Sequence, residues 1–260
     1  MDKLQRYKKE IDVFLASFLA SKQKEYGRIN RWGPDAMEKI RAIVSRGKTI
    51  RGSLVLFIHQ SLQGRSRDAL RVAAAFELVQ TALVIHDDIM DHDEARRGLP
   101  ALHIQYKSEA LAMCVGDILF FLAHELLSNT DVQVVTDQVF QEVCIAQMED
   151  VAKSAKTKKD VLSLYTYKTA RYTFSLPMMA GAILARANKK TIDLLEQLGE
   201  AIGILFQIRD DELDGEKTEL QEEKARYHKQ AVHLIQKLPV AAIHKNTLSA
   251  LLDFVVTRER

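Results

Sequence analysis

Apolar residues recur along this chain with the spacing of a single helical face. Ile11, Leu15 and Leu19 follow that spacing and predict an amphipathic helix near residues 3–25. The same periodicity predicts further helices near residues 34–45, 51–63, 66–91, 108–128, 131–154, 159–187, 190–214, 218–238 and 243–258. No stretch alternates as a strand does, so we expect one all-α domain, a helical bundle that covers residues 1–260. Pro177 is expected to kink or divide the segment in which it lies.

Two of these predicted helices end in almost the same acidic sequence. Residues 86–91 read His-Asp-Asp-Ile-Met-Asp, and residues 209–214 read Arg-Asp-Asp-Glu-Leu-Asp. Aspartates at positions i, i+1 and i+4 place the first and the last of each set on one helical face. Because both helices approach these ends through apolar runs, we expect the two acidic ends to face each other across a central elongated apolar cavity.

Carboxylates that gather at an apolar cavity require a cation. Two such charges about 6 Å apart repel each other by roughly 2 to 3 kcal/mol at an effective dielectric constant of about 20. Carboxylate oxygens without histidine or cysteine partners favour hard ions, and Mg²⁺ commonly binds one or two carboxylates together with substrate phosphates. The acidic pair therefore predicts a magnesium-diphosphate site, although either set taken alone is also compatible with a solvated helix end.

Basic residues that could bind phosphate lie near the acidic sets in the sequence. They are Lys48 and Arg51, Arg96 and Arg97, and Lys168, which precedes Thr169. A guanidinium offers forked donors to phosphate, whereas an ammonium acts as a compact point charge. Each pair taken alone is equally compatible with ordinary surface charge.

Composition excludes some partners. The 37 Lys and Arg residues nearly balance 35 Asp and Glu residues, and a formal charge of +2 predicts no nucleic-acid binding. Cys114 and Cys144 lie in apolar contexts without a paired motif, which predicts reduced core thiols, no disulfide and a cytoplasmic protein. No apolar run is expected to be long enough to span a bilayer, so a stable membrane span is not expected.

Over most of its length the chain resembles the trans-type isoprenyl diphosphate synthases. The matching segments are Gly47-Lys48-Thr49-Ile50-Arg51, Glu77 to Gln80, His86 to Asp91, Arg96 to Pro100 with His103, Gly116-Asp117, Tyr167 to Ala170 and Phe206 to Asp211. The resemblance implies the isoprenoid synthase fold. It also implies a Mg²⁺-dependent prenyltransferase that condenses isopentenyl diphosphate with an allylic diphosphate.

The resemblance further implies roles for individual residues. Three Mg²⁺ ions would bind Asp87, Asp91 and Asp210, with support from Asp88, Asp211 and Asp214. Isopentenyl diphosphate would be held by Lys48, Arg51, Gln80 and Arg97, and the allylic diphosphate by Arg96, Lys168, Thr169 and Gln207. The catalytic residues would be Asp87, Asp91, Arg96, Lys168 and Asp210. His86 and His103 would be structural or would support the ligands.

Ala82 and Leu83 lie about one helical turn before Asp87, where a growing prenyl chain would run. In the resembling family, bulky aromatic residues at these positions shorten the product. The small Ala82 therefore predicts an all-trans product of about C20 or longer in an apolar cleft. Leu83 could set a nearer floor or could simply pack in the core.

The resemblance breaks down after Asp214. In the family the second acidic set leads to a loop of glycine and lysine, another lysine and further helices, so an internal segment after about residue 218 is expected to be missing here. Two other classes of function therefore stay open. One is a noncatalytic partner subunit of a synthase, and the other is a metal-dependent phosphohydrolase, suggested by His86-Asp87. The resemblance also suggests a homodimer, formed through an apolar helix face within residues 108–128.

Overall fold

The computed structural model describes residues 2–215 and 220–259, with side chains from residue 6 onward, and the described chain is all-α as expected. The helices are α1 (Asp2–Tyr26), α2 (Trp32–Val44), α3 (Ile50–Ser61), α4 (Ala69–Met90), α5 (Leu102–Tyr106), α6 (Glu109–Leu127), α7 (Gln133–Val151), α8 (Lys158–Leu164), α9 (Leu176–Leu184), α10 (Lys189–Asp214), α11 (Gln221–Lys237) and α12 (Ala242–Thr257). The segment that we expect to be missing after about residue 218 falls at residues 216–219, which lie outside the described residues.

The helices pack into two compact units. We call Leu4–Ser53 with Leu70–Thr130 the N-terminal unit, and Met1–Lys3, Leu54–Ala69 and Asp131–Arg260 the C-terminal unit. The expectation of a single domain over residues 1–260 stays a prediction.

In the N-terminal unit, α4 is the core helix. Its residues Val72 to Phe76 are all almost completely buried, because three consecutive small alanines between Val72 and Phe76 admit neighbouring helices closely. Gly52 illustrates this closeness, since a Cβ atom there would lie 2.7 Å from the Ala73 carbonyl oxygen. The C-terminal end of this buried helix carries the first acidic set.

A short β-hairpin follows α4, and the expectation that no strand occurs is wrong at this point. Ala95 pairs with Pro100 and Arg96 with Leu99 in an antiparallel ladder of two residues per strand. Arg97 and Gly98 form the turn with φ angles of 52° and 73°, the left-handed pair that suits the twist of a tight hairpin. Strands this short are below the length at which alternation becomes visible in a sequence.

In the C-terminal unit, the segment expected as one helix over residues 159–187 is divided. After α8 comes a π-helix (Tyr165–Ser175), and then α9, with Pro177 in its first turn. The division expected at Pro177 is thus confirmed, while the widened stretch before it was not expected. A Cβ atom at Gly203 of α10 would lie 2.3 Å from the Ala170 Cα atom, so α10 and the π-helix touch through their backbones.

Two expectations about exposure are wrong. Cys114 on α6 and Cys144 on α7 are free thiols, as expected, but both are exposed rather than in the core. Their apolar neighbours Met113 and Ile145 are also exposed, because these parts of the two helices face outward within the described residues. An apolar context in sequence therefore did not indicate burial.

The expectation about apolar length is also wrong. By length and composition alone, α4 and α6 could each cross a membrane. The apolar stretch of 18 residues is 67% buried in α4 and 44% buried in α6. The buried core helix of a globular protein can be as long and as apolar as a membrane span. The finding is therefore weak evidence for a membrane span.

Candidate metal and diphosphate site

The first acidic set lies where α4 ends, in the N-terminal unit. The Asp91 N–H donates to the Asp87 carbonyl oxygen at 2.8 Å, so the helical spacing continues through the whole set. Asp88 is only 2% exposed, Asp87 is half-buried and Asp91 is exposed. Asp87 and Asp91 thus share a face, as the i, i+4 spacing predicts, whereas Asp88 points inward.

Buried Asp88 has an arginine as its counterion. Arg96 Nε donates to Asp88 Oδ1 at 2.6 Å, and Arg96 Nη2 donates to Asp93 Oδ2. Burial raises the pKa of Asp88, and the Arg96 guanidinium opposes that rise. Within this unit Arg96 therefore positions the first acidic set, and Asp93 belongs to the same network although the sequence patterns did not single it out.

Arg97 lies in the hairpin turn itself, and its side chain reaches the C-terminal end of α2 and the segment that follows it. Its Nη1 atom donates to the Ile43 carbonyl oxygen at 3.0 Å. A Cβ atom at Gly47 would lie 3.0 Å from the same nitrogen, so glycine leaves the room in which Arg97 lies. The structure thus brings Arg97 close to Gly47, the residue that precedes the exposed Lys48 in the sequence.

A buried glutamate organises the cations around this segment. Glu77 on α4 is buried, and its Oε1 atom accepts a hydrogen bond from the Gly52 N–H at 2.8 Å. Burial raises the pKa of Glu77, while the nearby charges of Arg51 and Arg97 work to lower it. Sequence reasoning quoted Glu77 only as part of a matching segment. The sequence did signal this residue, because Glu77 is an acidic residue within a largely apolar predicted helix. A buried acidic side chain almost always has a partner.

Gln80 lies one turn beyond Glu77 on the same helix. Its Oε1 atom is buried and has no hydrogen-bond partner among the residues that the structure describes. A buried polar atom without a partner is costly, so this amide suits a site that takes up a polar ligand. Lys48, Arg51, Gln80 and Arg97, the residues expected to hold isopentenyl diphosphate, all belong to the N-terminal unit.

Ala82 and Leu83, the residues expected to limit chain length, lie on α4 before Asp87. Ala82 is 0% exposed and Leu83 is partly exposed. His86 is directed to α6, where its Nε2 atom lies 3.3 Å from the Met113 carbonyl oxygen and its ring packs edge-on against Phe120. His86 is therefore placed to support α4 rather than to react.

The second acidic set ends α10 in the C-terminal unit. Asp210 and Asp211 are partly buried and Asp214 is exposed. Arg258, which follows α12, forms an ion pair with Asp210. Burial raises the pKa of Asp210, and the Arg258 charge opposes that rise. An arginine is thus the counterion of Asp210, as Arg96 is of Asp88. Sequence reasoning missed Arg258.

A chain of hydrogen bonds joins the second acidic set to the π-helix. Thr169 Oγ1 donates to Gln207 Oε1 at 3.0 Å, and Gln207 Nε2 donates to Asp211 Oδ1 at 2.9 Å. The Tyr165 hydroxyl donates to the other oxygen of Asp211. These contacts fix the direction of the Gln207 amide, so that three of the residues expected from sequence form one network with Tyr165.

Lys168 lies beside this network and forms an ion pair with Asp150 on α7. Sequence reasoning missed Asp150 and Tyr165. Glu149-Asp150, at the C-terminal end of the predicted helix 131–154, was the signal for Asp150, since acidic residues there oppose the helix dipole and call for a cation. No comparable sequence signal indicated Tyr165.

A cleft of about 550 Å³ opens at this network. It is lined by Glu149, Asp150, Lys153, Ala155, Lys156, Val161, Leu164, Tyr165, Lys168, Thr169, Gln207 and Asp211. Its volume falls within the range of about 300 to 1,000 Å³ that is usual for small-molecule sites. The cleft therefore combines Lys168, Thr169 and Gln207, three of the four residues expected to hold the allylic diphosphate, with lysines that the sequence analysis did not name, whereas Arg96 does not line it.

The donor atoms suit magnesium by their chemistry. Both acidic sets offer only carboxylate oxygens, and Mg²⁺ typically binds one or two of these together with phosphate oxygens. Over residues 2–215 and 220–259, no group of three or more His, Cys, Asp or Glu side chains is arranged as a metal cage. The carboxylates thus fit an ion that arrives with a phosphate ligand better than one held by protein alone.

The all-α fold is that of the isoprenoid synthases, as two solved structures show. A geranylgeranyl pyrophosphate synthase from Corynebacterium glutamicum, complexed with isoprenyl diphosphate and magnesium, matches with a TM-score of 0.88 at 19% identity, covering 98% of this chain and 99% of its own. A geranylgeranyl pyrophosphate synthetase from Geoglobus acetivorans matches with a TM-score of 0.84 at 22% identity, covering 98% and 99%.

The chain belongs to the polyprenyl synthetase family, whose model matches residues 35–244. A short chain isoprenyl diphosphate synthase from Methanothermobacter thermautotrophicus is 37% identical over 66% of this chain and 55% of its own length. Farnesyl diphosphate synthase from Bacillus subtilis is 31% identical over 72% and 69%. The chain spans only about half the length of several curated relatives that it matches, 54 to 55% in three of them.

Proposed function

We propose that this protein is a Mg²⁺-dependent prenyltransferase that condenses isopentenyl diphosphate with an allylic diphosphate to a longer all-trans prenyl diphosphate. The observation that carries the proposal is the network of Thr169, Gln207 and Asp211 beside Lys168, which opens on the 550 Å³ cleft. Such a network offers a cation, a fixed amide and a carboxylate to one ligand. A diphosphate accompanied by a metal ion is a ligand that uses all three.

The two substrates would be held mainly by residues of different units of the chain. Isopentenyl diphosphate would be held by Lys48, Arg51, Gln80 and Arg97 in the N-terminal unit. The allylic diphosphate would be held by Lys168, Thr169 and Gln207 in the C-terminal unit, together with Arg96 of the N-terminal unit. The unpartnered Gln80 Oε1 atom supports the first assignment, and the Gln207 network supports the second.

We further propose that Asp87, Asp91 and Asp210 bind magnesium, with Asp88, Asp211 and Asp214 in support, and that three ions bind. When bound, magnesium would neutralise the charge that develops on the leaving diphosphate. Catalytic roles are proposed for Asp87, Asp91 and Asp210 as ligands, and for Arg96 and Lys168 as fixed cations near them. Arg96 would also keep the buried Asp88 charged and in place.

The apolar residues of the chain would protect the carbon–carbon bond-forming step. Ala82 and Ile85 of α4 are buried, so a prenyl tail beside them would be shielded from water. The allylic cation that forms when the diphosphate leaves would need the same shielding, because water would react with it. Because His86 is directed to α6, we propose no histidine base, and the released diphosphate would accept the proton. The small Ala82 supports a product of about C20 or longer. The names of the relatives, geranylgeranyl and geranylfarnesyl diphosphate synthase, are in line with this length.

A cytoplasmic homodimer formed through α6 is also proposed. Phe121 on this helix is 77% exposed, and Met113 is exposed as well, so the helix presents apolar surface that a second copy could cover. Light scattering coupled to size-exclusion chromatography tests this point. A Phe121→Glu variant that remains dimeric would contradict the use of this face.

The central test incubates the purified protein with Mg²⁺, labelled isopentenyl diphosphate and each allylic primer in turn. Prenyl diphosphate made by the pure protein is the expected result, and its loss in Asp87→Asn and Asp210→Asn variants would assign the chemistry to this site. Release of free phosphate without chain growth would instead indicate a phosphohydrolase.

A noncatalytic partner subunit is the second candidate, favoured by the ion pair between Arg258 and Asp210. In that pair a proposed metal ligand already has a protein cation. Adding an active synthase, or an extract that contains one, separates the two candidates. Product that appears only after this addition would support the partner role.

A further inference from the structure

The cleft of the C-terminal unit carries two lysines that the proposed reaction has not yet used. Lys153 and Lys156 lie between α7 and α8 and line the cleft together with Lys168. Lys168 is already paired with Asp150. Both additional lysines are exposed, so their ammonium groups are accessible to a dissolved anion.

The segment that carries these lysines is fixed at both ends. At the end of α7, the Lys153 N–H donates to the Asp150 carbonyl oxygen at 2.9 Å, and the Ser154 N–H donates to the Glu149 carbonyl oxygen at 3.1 Å. At the start of α8, Thr157 and Asp160 form a capping box. Because the backbone is already tied in this way, binding has to order only the lysine side chains and not the segment that carries them.

A contact within the segment also sets the two lysines relative to each other. Lys156 Nζ donates to the Lys153 carbonyl oxygen at 2.8 Å, so Lys156 folds back over the residue that begins the segment. Lys153 has a left-handed φ angle of 48°, which turns the chain at the rim of the cleft. Both ammonium groups are therefore carried by one turn on one side of the cleft.

Three lysines and three carboxylates line the cleft, so the way in which they are paired decides which ligand the cleft suits. Of the carboxylates, Asp150 is paired with Lys168, Asp211 accepts from Tyr165 and Gln207, and Glu149 is the third. Among the residues that the structure describes, neither Lys153 nor Lys156 forms an ion pair with a carboxylate. Two ammonium groups without acidic partners, beside a third that has one, suit a ligand with several negative charges.

We propose that Lys153 and Lys156, which line the same cleft as Gln207, bind the diphosphate group of the allylic substrate. The inference rests on the proposed function and adds two residues to its binding site. They act on the allylic diphosphate rather than on isopentenyl diphosphate, because Thr169 and Gln207 line the same cleft, whereas the residues proposed for isopentenyl diphosphate belong to the N-terminal unit.

The test compares three forms of the full chain. They are the wild type, a double variant that combines Lys153→Gln and Lys156→Gln, and the matched control Lys159→Gln. Lys159 is an exposed lysine of α8 that does not line the cleft, so its variant loses the same kind of charge nearby. Isothermal titration calorimetry measures the affinity for inorganic pyrophosphate, with and without Mg²⁺, and does not depend on turnover. KM values for farnesyl diphosphate and for isopentenyl diphosphate give the second readout.

We expect the double variant to bind pyrophosphate about tenfold more weakly and to raise KM for farnesyl diphosphate by about the same factor, as loss of charge-assisted hydrogen bonds predicts. KM for isopentenyl diphosphate and all values for Lys159→Gln should stay within about twofold of wild type. The proposal is overturned if the double variant binds pyrophosphate as wild type does, if both KM values rise equally, or if Lys159→Gln has the same effect.

Failure of this proposal and failure of the proposed function give different results. A wild-type protein that makes no prenyl product overturns the proposed function, and the pyrophosphate titrations still decide the role of the lysines. A wild-type protein that makes prenyl product while the double variant keeps its KM for farnesyl diphosphate overturns only the role of the lysines.

Discussion

Arg258 lies against Asp210 and forms an ion pair with it, so the second acidic set has a protein cation at its centre. Two further contacts hold Arg258 in place. Its guanidinium carbon lies 3.8 Å from the centre of the Phe206 ring, and its carbonyl oxygen accepts from Arg209 Nη2 at 2.8 Å. Any metal ion that binds Asp210 must therefore compete with a guanidinium that is already fixed.

Replacing Arg258 with glutamine should change the response to magnesium. Because the competing charge is removed, we expect the Mg²⁺ concentration for half-maximal binding to fall by about two- to fivefold, which corresponds to roughly 1 kcal/mol for a partly exposed pair. In the absence of magnesium the same variant should lose about 1 kcal/mol of stability, since Asp210 loses its counterion. Magnesium titration and thermal melts in EDTA measure both effects. Arg258→Lys, which keeps the charge, is the control, and an unchanged magnesium response in Arg258→Gln would contradict the competition.

Enlarging Ala82 should shorten the product. Ala82 is completely buried on α4, so the Ala82→Phe side chain has to occupy space along the proposed path of the prenyl tail. We expect products shorter by at least one five-carbon unit, at a cost of about 1 to 3 kcal/mol in stability from overpacking. Chromatography of the dephosphorylated products measures chain length. Ala82→Val is the graded control, and a folded Ala82→Phe enzyme that makes the wild-type product would show that the tail does not pass Ala82.

Replacing Glu77 with glutamine should alter the dependence of stability on pH. Burial raises the pKa of Glu77 above its ordinary value of 4.5. Because the pKa is higher in the folded state than in the unfolded state, Glu77 contributes fully to the stability of the fold below pH 4.5. This contribution is lost as the pH rises through the folded-state pKa. The glutamine variant cannot lose a proton there, so its Tm relative to wild type should increase from pH 4.5 towards neutrality.

Circular dichroism melts of Glu77→Gln and wild type at several pH values measure this difference. Glu38→Gln, which removes an exposed carboxylate from α2, is the matched control and should show a smaller change. A constant difference in Tm between Glu77→Gln and wild type across that range would mean that burial does not govern this carboxyl group.

Adding a methyl group at Gly203 should separate α10 from the π-helix. The new Cβ atom would lie 2.3 Å from the Ala170 Cα atom, and a backbone atom of a packed helix cannot move aside cheaply. We expect Gly203→Ala to lose about 1 to 3 kcal/mol or more of stability and to weaken the contact between Thr169 and Gln207. Urea denaturation measures the first effect and pyrophosphate binding the second.

Gly215→Ala is the matched control for this substitution. Gly215 follows α10, and no atom of residues 2–215 and 220–259 lies within 4 Å of a new Cβ atom there, so that its φ angle of 84° alone should cost about 1 kcal/mol. Equal losses of stability in the two variants would show that the close approach at Gly203 carries no special cost.

The sequence did not predict the conformations of the β-hairpin and of the π-helix, and the reason is the same for both. In the hairpin, Arg97 adopts a left-handed φ angle, which is disfavoured for arginine. In this conformation Arg97 forms hydrogen bonds with Ile43 and Arg46. In the π-helix, the wider turn adjoins Gly199 and Gly203 of α10, where backbone packs on backbone. Both features depend on neighbours far away in the sequence, whereas periodicity reports only local order.

By itself the sequence determined the helical class, most helix positions and the chemistry of the two acidic sets, because helical periodicity and residue type are local properties. It also placed Thr169, Gln207 and Asp211 among the candidates, and these form one network. Only the tertiary structure decided how the charges are partnered. Pairs such as Arg96 with Asp88 and Arg258 with Asp210 depend on which helix ends and turns come together, and on burial that removes water as the competing partner.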